Sequence, residues 1–408
     1  ARALADSAAL GLWMGAADSP DQAQQALAIA REVDDPALLA RALTACGYIA
    51  SYFDAEAART YLAEAIVLAR DLGDPWRLSQ ILAAQAVGAL AAADPIAMRA
   101  AAEEARDLAD AIGDRFGSRR CRWYLGVAQV SKGDLAGAVA QFAAVAAEAE
   151  AAHDEVWRAD SLVLRGIARA SLGDIAAARA AADVAVEATV EIGGLKAGAA
   201  YHALAIAALA AGDATTAQDA TAAAWPHVSA LPQTTAVGRV LNAEAALAGG
   251  DLVAARRWAD DAASTTTGAF LTDPLTARAR VAIAQGEPDQ AERDAHDALA
   301  HAAEVEAHLF IPDILECLAV LAAQAGSHRE AARLFGAAEA IRLRMGAVRF
   351  KIYDAGYQAS VAALRQAMSE KDFEFAWAEG AALSTEEAIA YAQRGAANAN
   401  DPPEAGRR

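Results

Sequence analysis

A short phrase recurs along this chain and limits its folding more than any other feature. An apolar stretch closes on Gly-Asp or a near variant, and an alanine-rich stretch follows at once. The phrase falls at Phe53-Asp54, Ala93-Asp94, Gly133-Asp134, Gly173-Asp174, Gly212-Asp213, Gly250-Asp251, Gly286-Glu287 and Gly326-Ser327, so its second positions lie 40, 40, 40, 39, 38, 36 and 40 residues apart. A degenerate copy at Asp18-Ser19 places Ser19 35 residues before Asp54. Glycine can end a helix in the left-handed conformation, and aspartate can cap the free N–H groups of the next one. Each repeat should therefore form one helical hairpin, about nine in all.

Aligned on these turns, three columns hold small side chains. Eight residues before the cap stand Gly11, Cys46, Ala86, Gly126, Gly166, Ala205, Ala243, Ala279 and Ala319. Four after it stand Ala23, Ala58, Met98, Ala138, Ala178, Ala217, Ala255, Ala291 and Ala331, and seven further on Ala30, Ala65, Ala105, Val145, Ala185, Ala224, Ala262, Ala298 and Ala338. Small residues are needed where two helices approach closely, since a bulky side chain would push them apart. The composition agrees: 56% of residues are apolar but only 6% aromatic, because alanine dominates. At 408 residues the chain exceeds a usual globular domain, whereas an array simply grows by stacking.

The small residue, the Gly-Asp turn and the alanines after it, as in Leu125-Gly126 to Gly133-Asp134 and on to Ala138, resemble the tetratricopeptide pattern. That resemblance implies an all-α solenoid of helical hairpins, with repeats of about 40 residues instead of about 34 and hence longer helices. The solenoid is expected over residues 1–342, a C-terminal helical cap over 343–395, and a disordered tail or linker over 396–408. Within the cap the pattern gives a turn around Gly346 and a helix near 353–369. Ser384 and Glu387 form a capping box that opens a final helix.

Two strings in this end region, Glu330 to Arg342 (EAARLFGAAEAIR) and Phe375 to Gly395 (FAWAEGAALSTEEAIAYAQRG), carry a further resemblance. They are similar to the region just before the DNA-binding domain in large actinobacterial transcriptional regulators of the LuxR family, which are built like STAND ATPases. In that architecture an optional cyclase-like domain and an ATPase domain precede a helical-repeat sensor, and a helix-turn-helix often follows. The resemblance implies a cytoplasmic sensor module with the parent's ATPase domain as neighbour. The chain opens at Ala1 directly in a helical pattern, which fits a piece of something longer, and no helix-turn-helix pattern follows Gly395.

Several chemistries are not expected. Lysine and arginine total 35 against 54 acidic residues, and a net charge of −19 would repel a phosphate backbone, so direct nucleic-acid contact is disfavoured. Cys46, Cys121 and Cys317 are odd in number, far apart and without CxxC spacing, which suits neither a disulfide framework nor zinc and fits a reducing compartment. No 18 consecutive residues are apolar throughout, so no membrane span is expected. Lys132, Lys196, Lys351 and Lys371 precede Gly, Ala, Ile and Asp, so the Lys-Ser or Lys-Thr end of a phosphate-binding loop is missing. The stretch Gly193 to Leu195 reads as a turn between repeats. No GxSxG elbow places a nucleophile beside a base. No catalytic residue, cofactor or metal is therefore assigned.

Three groups of side chains need a closer reading. His301, Glu304 and His308 would share one face of an unbroken helix and could then hold a divalent metal, but the repeat register puts a helix junction among them. Trp13, Trp76, Trp123, Trp157, Trp225, Trp258 and Trp377 are spread one to a repeat or fewer, as packing anchors rather than a base-stacking platform. Arg115, Arg119, Arg120 and Arg122 beside Trp123 form the most distinctive charge cluster and the candidate partner-binding site, because guanidinium forks grip carboxylates or phosphates. The competing reading pairs them with acidic residues of the next repeat, such as Asp154 or Glu155. The leading function is a non-catalytic sensor whose concave face, made by the first helix of each repeat, binds a protein segment or small effector. The alternative is a stand-alone scaffold for protein–protein assembly.

Overall fold

The computed structural model describes residues 1–399 except 14, 15, 17, 93, 192, 230, 231 and 267–270, and among these the chain is all-α. The first helices of the repeats are α1 (Arg2–Trp13), α3 (Pro36–Ala50), α5 (Pro75–Ala91), α7 (Arg115–Lys132), α9 (Glu155–Ser171), α11 (Gly194–Ala211), α13 (Pro232–Ala248), α15 (Thr272–Gln285) and α17 (Ile311–Gln324). The second helices are α2 (Ser19–Glu32), α4 (Ala55–Asp71), α6 (Pro95–Ile112), α8 (Leu135–Ala151), α10 (Ile175–Thr189), α12 (Ala214–Val228), α14 (Leu252–Thr265), α16 (Pro288–Glu304) and α18 (His328–Met345). Each helix packs on its chain neighbours, and each first helix also touches the first helix of the next repeat, so the first helices form the continuous inner wall of a solenoid.

The turns work as their residues dictate. Gly133, Gly173, Gly212, Gly250, Gly286 and Gly326 hold φ between 74° and 87°, where a side chain would be strained. The carboxylates of Asp54, Asp94, Asp134, Asp174, Asp213 and Asp251 then accept from backbone N–H groups in the first turn of the following helix. Glu287 and Ser327 make no such side-chain bond, so these two turns rest on their glycines. The same device also works between repeats, outside the register of the recurring phrase: Asp74, Asp114 and Asp154 cap α5, α7 and α9 in the same way. There His153, at φ 54°, stands in the left-handed position that Gly73 and Gly113 fill in the two repeats before it. Ala93 of the third turn lies outside the described residues.

The small-residue columns mark the helix contacts. Every member is buried except Gly11, which is half-buried, and the two large members, Met98 and Val145, are enclosed as fully as the alanines. At Gly126 an added Cβ would stand 2.7 Å from the ring of Phe142 on α8, so that site is fixed by close approach and not by alanine abundance. The apolar helix α11 is long enough by composition to cross a membrane, but its alanines 197, 200, 203, 205, 207, 208 and 210 are buried between neighbouring repeats.

The array coils tightly. Helix α1 meets α11, and the end of α7 meets the short 3₁₀ turn His308–Phe310 ahead of α17, with Lys132 Nζ 3.2 Å from Glu306. In both cases the partners are five repeats apart, so the inner wall wraps around a narrow lumen.

After α18 the chain divides into two functions. Helices α20 (Glu370–Ala381) and α21 (Thr385–Ala399) pack on the outside of the last repeats, against α18 and α16. Ser384 and Glu387 exchange backbone bonds at 2.9 and 3.1 Å as a capping box, and the last helix runs on to Ala399, past the point where the sequence loses its periodicity. Residues 400–408 of the expected tail lie outside the described residues.

By contrast, residues 346–350 and the start of α19 (Lys351–Ala367) cross the inner wall as an extended strap. Met345 lies at Gly133, Val348 at Gly173 and Lys351 at Gly212, the turns of three successive repeats. Three extended residues span about 10 Å, and neighbouring helix axes lie about 8–10 Å apart, so the strap advances one repeat per three residues. The Val348 amide donates to the Ser171 carbonyl at 2.8 Å, which pins the strap to the end of α9.

Candidate functional site

The helical period divides the arginine cluster on α7. Arg119 is buried and pairs with Asp154 of the next repeat, while Arg122 donates to Glu148 at 2.7 Å and holds that carboxyl below its usual range. Arg115 is exposed beside them. Trp123 is half-buried edge-on to Trp157 at 5.7 Å and to Tyr124 at 5.1 Å, inside an aromatic knot that ties α7 to α9. Arg120 alone turns to the concave side, where it donates to Gln80 at 2.9 Å and keeps a buried Nε without a hydrogen-bond partner. The cluster thus divides into one pair between repeats, Arg119 with Asp154, one pair within the hairpin, Arg122 with Glu148, the exposed Arg115 and one groove-facing guanidinium.

Around Arg120 the inner wall of α1, α3, α5 and α7 forms a groove of about 250 Å³. Arg41, Arg77 and Arg120 line it, with Tyr48, Tyr124 and the exposed side chains Leu10 and Trp76. Arg41 is clamped by Asp6 through two bonds of 2.8 Å, and Arg77 by Asp74 and the Ala37 carbonyl at 3.2 and 3.0 Å. Trp76 is 45% exposed, so here the packing-anchor reading of the tryptophans gives way to a groove-facing ring. Trp225 and Trp258 stack edge-on at 5.2 Å and Trp377 lies on Phe373, as anchors do; the side chain of Trp13 lies outside the described residues.

A second recess of about 280 Å³ lies deeper in the lumen, between the ends of α7, α9 and α11, helices α13 and α15, the start of α17 and the strap. Its polar side is a network that the sequence did not reveal. Arg280 bonds Glu244 and Asp313 at 2.7 Å each, Arg342 bonds Asp313 and Glu316 at 2.5 Å each, and Arg349 reaches Glu316 and Glu339. Tyr353 of α19 lies under Arg280, 4.0 Å from ring centre to guanidinium. Burial raises the Asp313 carboxyl, but Arg280 and Arg342 outweigh it and hold the group below its usual range. Asp273 lines the same recess without an ion pair among the described residues; its side chain is exposed to the open space, yet the protein packed around it pushes its carboxyl up to about 7 by desolvation.

Part of this network follows a rule that a sequence could have shown. An acid on one first helix pairs with a base on the next at an offset close to the repeat length: Asp6 with Arg41 at 35, Asp160 with Lys196 at 36 and Glu244 with Arg280 at 36. The histidine trio does not assemble, because α16 ends at Glu304 and His308 opens the separate 3₁₀ turn. Among the described residues no group of three or more His, Cys, Asp or Glu is placed to hold a metal ion. Cys46, Cys121 and Cys317 are buried free thiols pushed up to about 11, 11 and 12 by burial, which keeps them protonated and unreactive.

No family model matches the chain. Curated relatives named "Putative HTH-type transcriptional regulator" in Mycobacterium bovis (Mb0914c) and in two strains of Mycobacterium tuberculosis (MT0914 and Rv0890c) are each 52% identical over 400 residues. The match covers 97% of this chain but only 45% of each relative, so the chain spans less than half of their length. Among solved structures, NprR in complex with its cognate peptide NprX aligns over 98% of this chain and 99% of that one, at 11% identity and a TM-score of 0.45. The apo form of the quorum sensor NprR from B. thuringiensis aligns over 89% and 98%, at 11% identity and 0.36.

Proposed function

We propose that this chain is the non-catalytic sensor and interaction region of a helix-turn-helix transcriptional regulator, and that it binds a protein segment or small effector on its concave face. The observation that carries the reading is the groove over α1, α3, α5 and α7, where Trp76 and Leu10 stay open to solvent beside Arg41, Arg77 and Arg120. Exposed aromatic and guanidinium groups in a concave wall are the usual anchors of recognition. They complement an extended segment that brings an apolar side chain to Trp76 and an acidic group to the Arg120 guanidinium. Identity of 52% to regulators over nearly the whole chain supports the regulatory context. A LuxR-type parent with an adjoining ATPase domain, a cytoplasmic location, and the absence of a cofactor belong to the same proposal.

The test uses the full-length regulator and a reporter for its target promoter. Deletion of residues 1–342, or the pair Trp76→Ala and Arg120→Gln in a protein that keeps its helical circular dichroism, should abolish the response to signal. An unchanged response would overturn the sensor reading and favour a scaffold without regulatory output.

A further inference from the structure

The lumen network is not balanced. Five carboxylates, Glu244, Asp273, Asp313, Glu316 and Glu339, share three guanidiniums, Arg280, Arg342 and Arg349. The arginines satisfy both oxygens of Asp313, saturate Glu316 and take Oε1 of Glu244. Two acceptors are left over on the recess wall. Oε2 of Glu244 is buried and accepts no hydrogen bond of good geometry, in a residue only 5% exposed, although the Tyr353 hydroxyl interacts with the same carboxylate. Asp273 is the other, with no ion pair among the described residues.

A buried carboxylate oxygen without a donor is costly, and a low-dielectric pocket amplifies the attraction of any cation that reaches it. Much of the remaining wall is apolar: Ile206, Leu241, Phe310, Val348 and Phe350 face the same space. An inorganic divalent ion would need about six to eight oxygens and find two carboxylates against a largely apolar wall. A protonated amine on a short apolar arm uses both halves. The volume of about 280 Å³ lies at the lower edge of small-molecule pockets, about 300–1,000 Å³, too small for a folded partner.

We infer that this recess is a binding site for a small organic amine, held as its ammonium ion by Glu244 and Asp273 with its apolar part against Phe310 and Phe350. The site is separate from the groove over α1 to α7 and does not depend on the reading of that groove. Its walls include the strap, so an occupant touches α13, α15, α17 and residues 348–353 together. Binding should depend on pH through Asp273, which faces Arg280, Glu244 and Asp313 directly, with Arg342 of α18 and Tyr353 of α19 completing the surround. Its carboxyl, raised to about 7, must be ionised to hold an ammonium, so affinity should fall as pH drops through that value.

Phenethylamine is the probe, titrated by calorimetry into the 408-residue chain at pH 8 and pH 6, beside neutral 2-phenylethanol and anionic 3-phenylpropionate. The amine should bind at least tenfold more tightly than the alcohol, the acid should not bind, and the amine should weaken at pH 6. Asp273→Asn, which removes a charge without breaking an ion pair, should fold normally, lose at least tenfold in affinity and lose the pH dependence. Arg77→Gln in the groove should leave amine binding unchanged, which separates this inference from the groove reading. Equal binding of amine and alcohol, undiminished binding by Asp273→Asn, displacement by calcium alone, or no amine binding to the folded chain would each overturn it.

Discussion

Gly380 on α20 packs so closely on α18 that an alanine there should loosen the whole C-terminal cap. An added Cβ would overlap the Arg333 carbonyl oxygen, and would stand 2.8 Å from the carbonyl carbon and 3.0 Å from the Ala337 amide nitrogen. Ordinary carbon contacts begin at about 3.5 Å, so the two helices must separate by at least several tenths of an ångström. The obstacle is backbone, which cannot rotate aside as a side chain would. Overpacking of this kind costs about 1–3 kcal/mol, and the better helix propensity of alanine returns at most about 1 kcal/mol. A net loss of about 1–2 kcal/mol is expected. Gly356 on α19 supplies the contrast, because it is exposed and a methyl group added there would have nothing within 4 Å. There the same change should stabilise by up to about 1 kcal/mol. A repeat array opens region by region, so the assay is amide hydrogen exchange of α18 and α20 alongside urea unfolding. Faster exchange in α18 and α20 for Gly380→Ala, with slower exchange in α19 for Gly356→Ala, is the expected pair. Unchanged protection of α18 and α20 in Gly380→Ala would refute the close backbone packing.

Three further outcomes follow from the same geometry. Gly173→Ala and Gly250→Ala share a φ near 80° and hence a strain of about 1 kcal/mol, but only the first meets Val348, at 3.1 Å, so it alone should speed exchange of the Val348 amide. Arg280→Met leaves Glu244 and Asp313 with a missing partner and should destabilise the chain by about 3–5 kcal/mol in urea unfolding; a loss under about 1 kcal/mol would mean that water screens the lumen pairs. His202, buried on α11, is pushed down to about 4 by burial, so the unfolded chain takes up its proton first and folded stability falls as pH drops from about 6.5 towards 4. Between pH 7 and pH 4.5 the chain should therefore lose about 2–3 kcal/mol more than His202→Gln does, and equal losses would place the histidine in contact with water.

What the sequence showed was whatever repeats locally. A Gly-Asp corner acts within five residues, and a small residue eight before it meets a helix only one hairpin away, so both signals stand in register along the chain and both proved to mark real contacts. The capping box at Ser384 was legible for the same reason. The arginine cluster on α7 was visible as composition, but its meaning depended on the helical period, which turns Arg119 and Arg122 to acids and Arg120 to the groove. The lumen network is beyond such reading, because Arg280 meets Tyr353 across 73 residues and Lys132 meets Glu306 across 174. The first pairing exists because the strap and α19 cross the inner wall, and the second because the array meets itself again after five repeats.

The strap is the clearest case of a local signal with a distant cause. Gly133, Gly173 and Gly212 have the sequence context of plain helix ends, and their φ values justify glycine on that ground alone. Yet Gly250 and Gly286, with the same conformation, have empty space where a Cβ would stand, while the first three carry Met345, Val348 and Lys351. A substitution at these corners therefore reports two different things, and only the strap-bearing three connect the turns of the fourth to sixth repeats to the recess that Arg280 and Tyr353 close. A ligand that moved residues 348–353 would have to break the Val348 to Ser171 bond, which couples the occupancy of the lumen to the pitch of the solenoid.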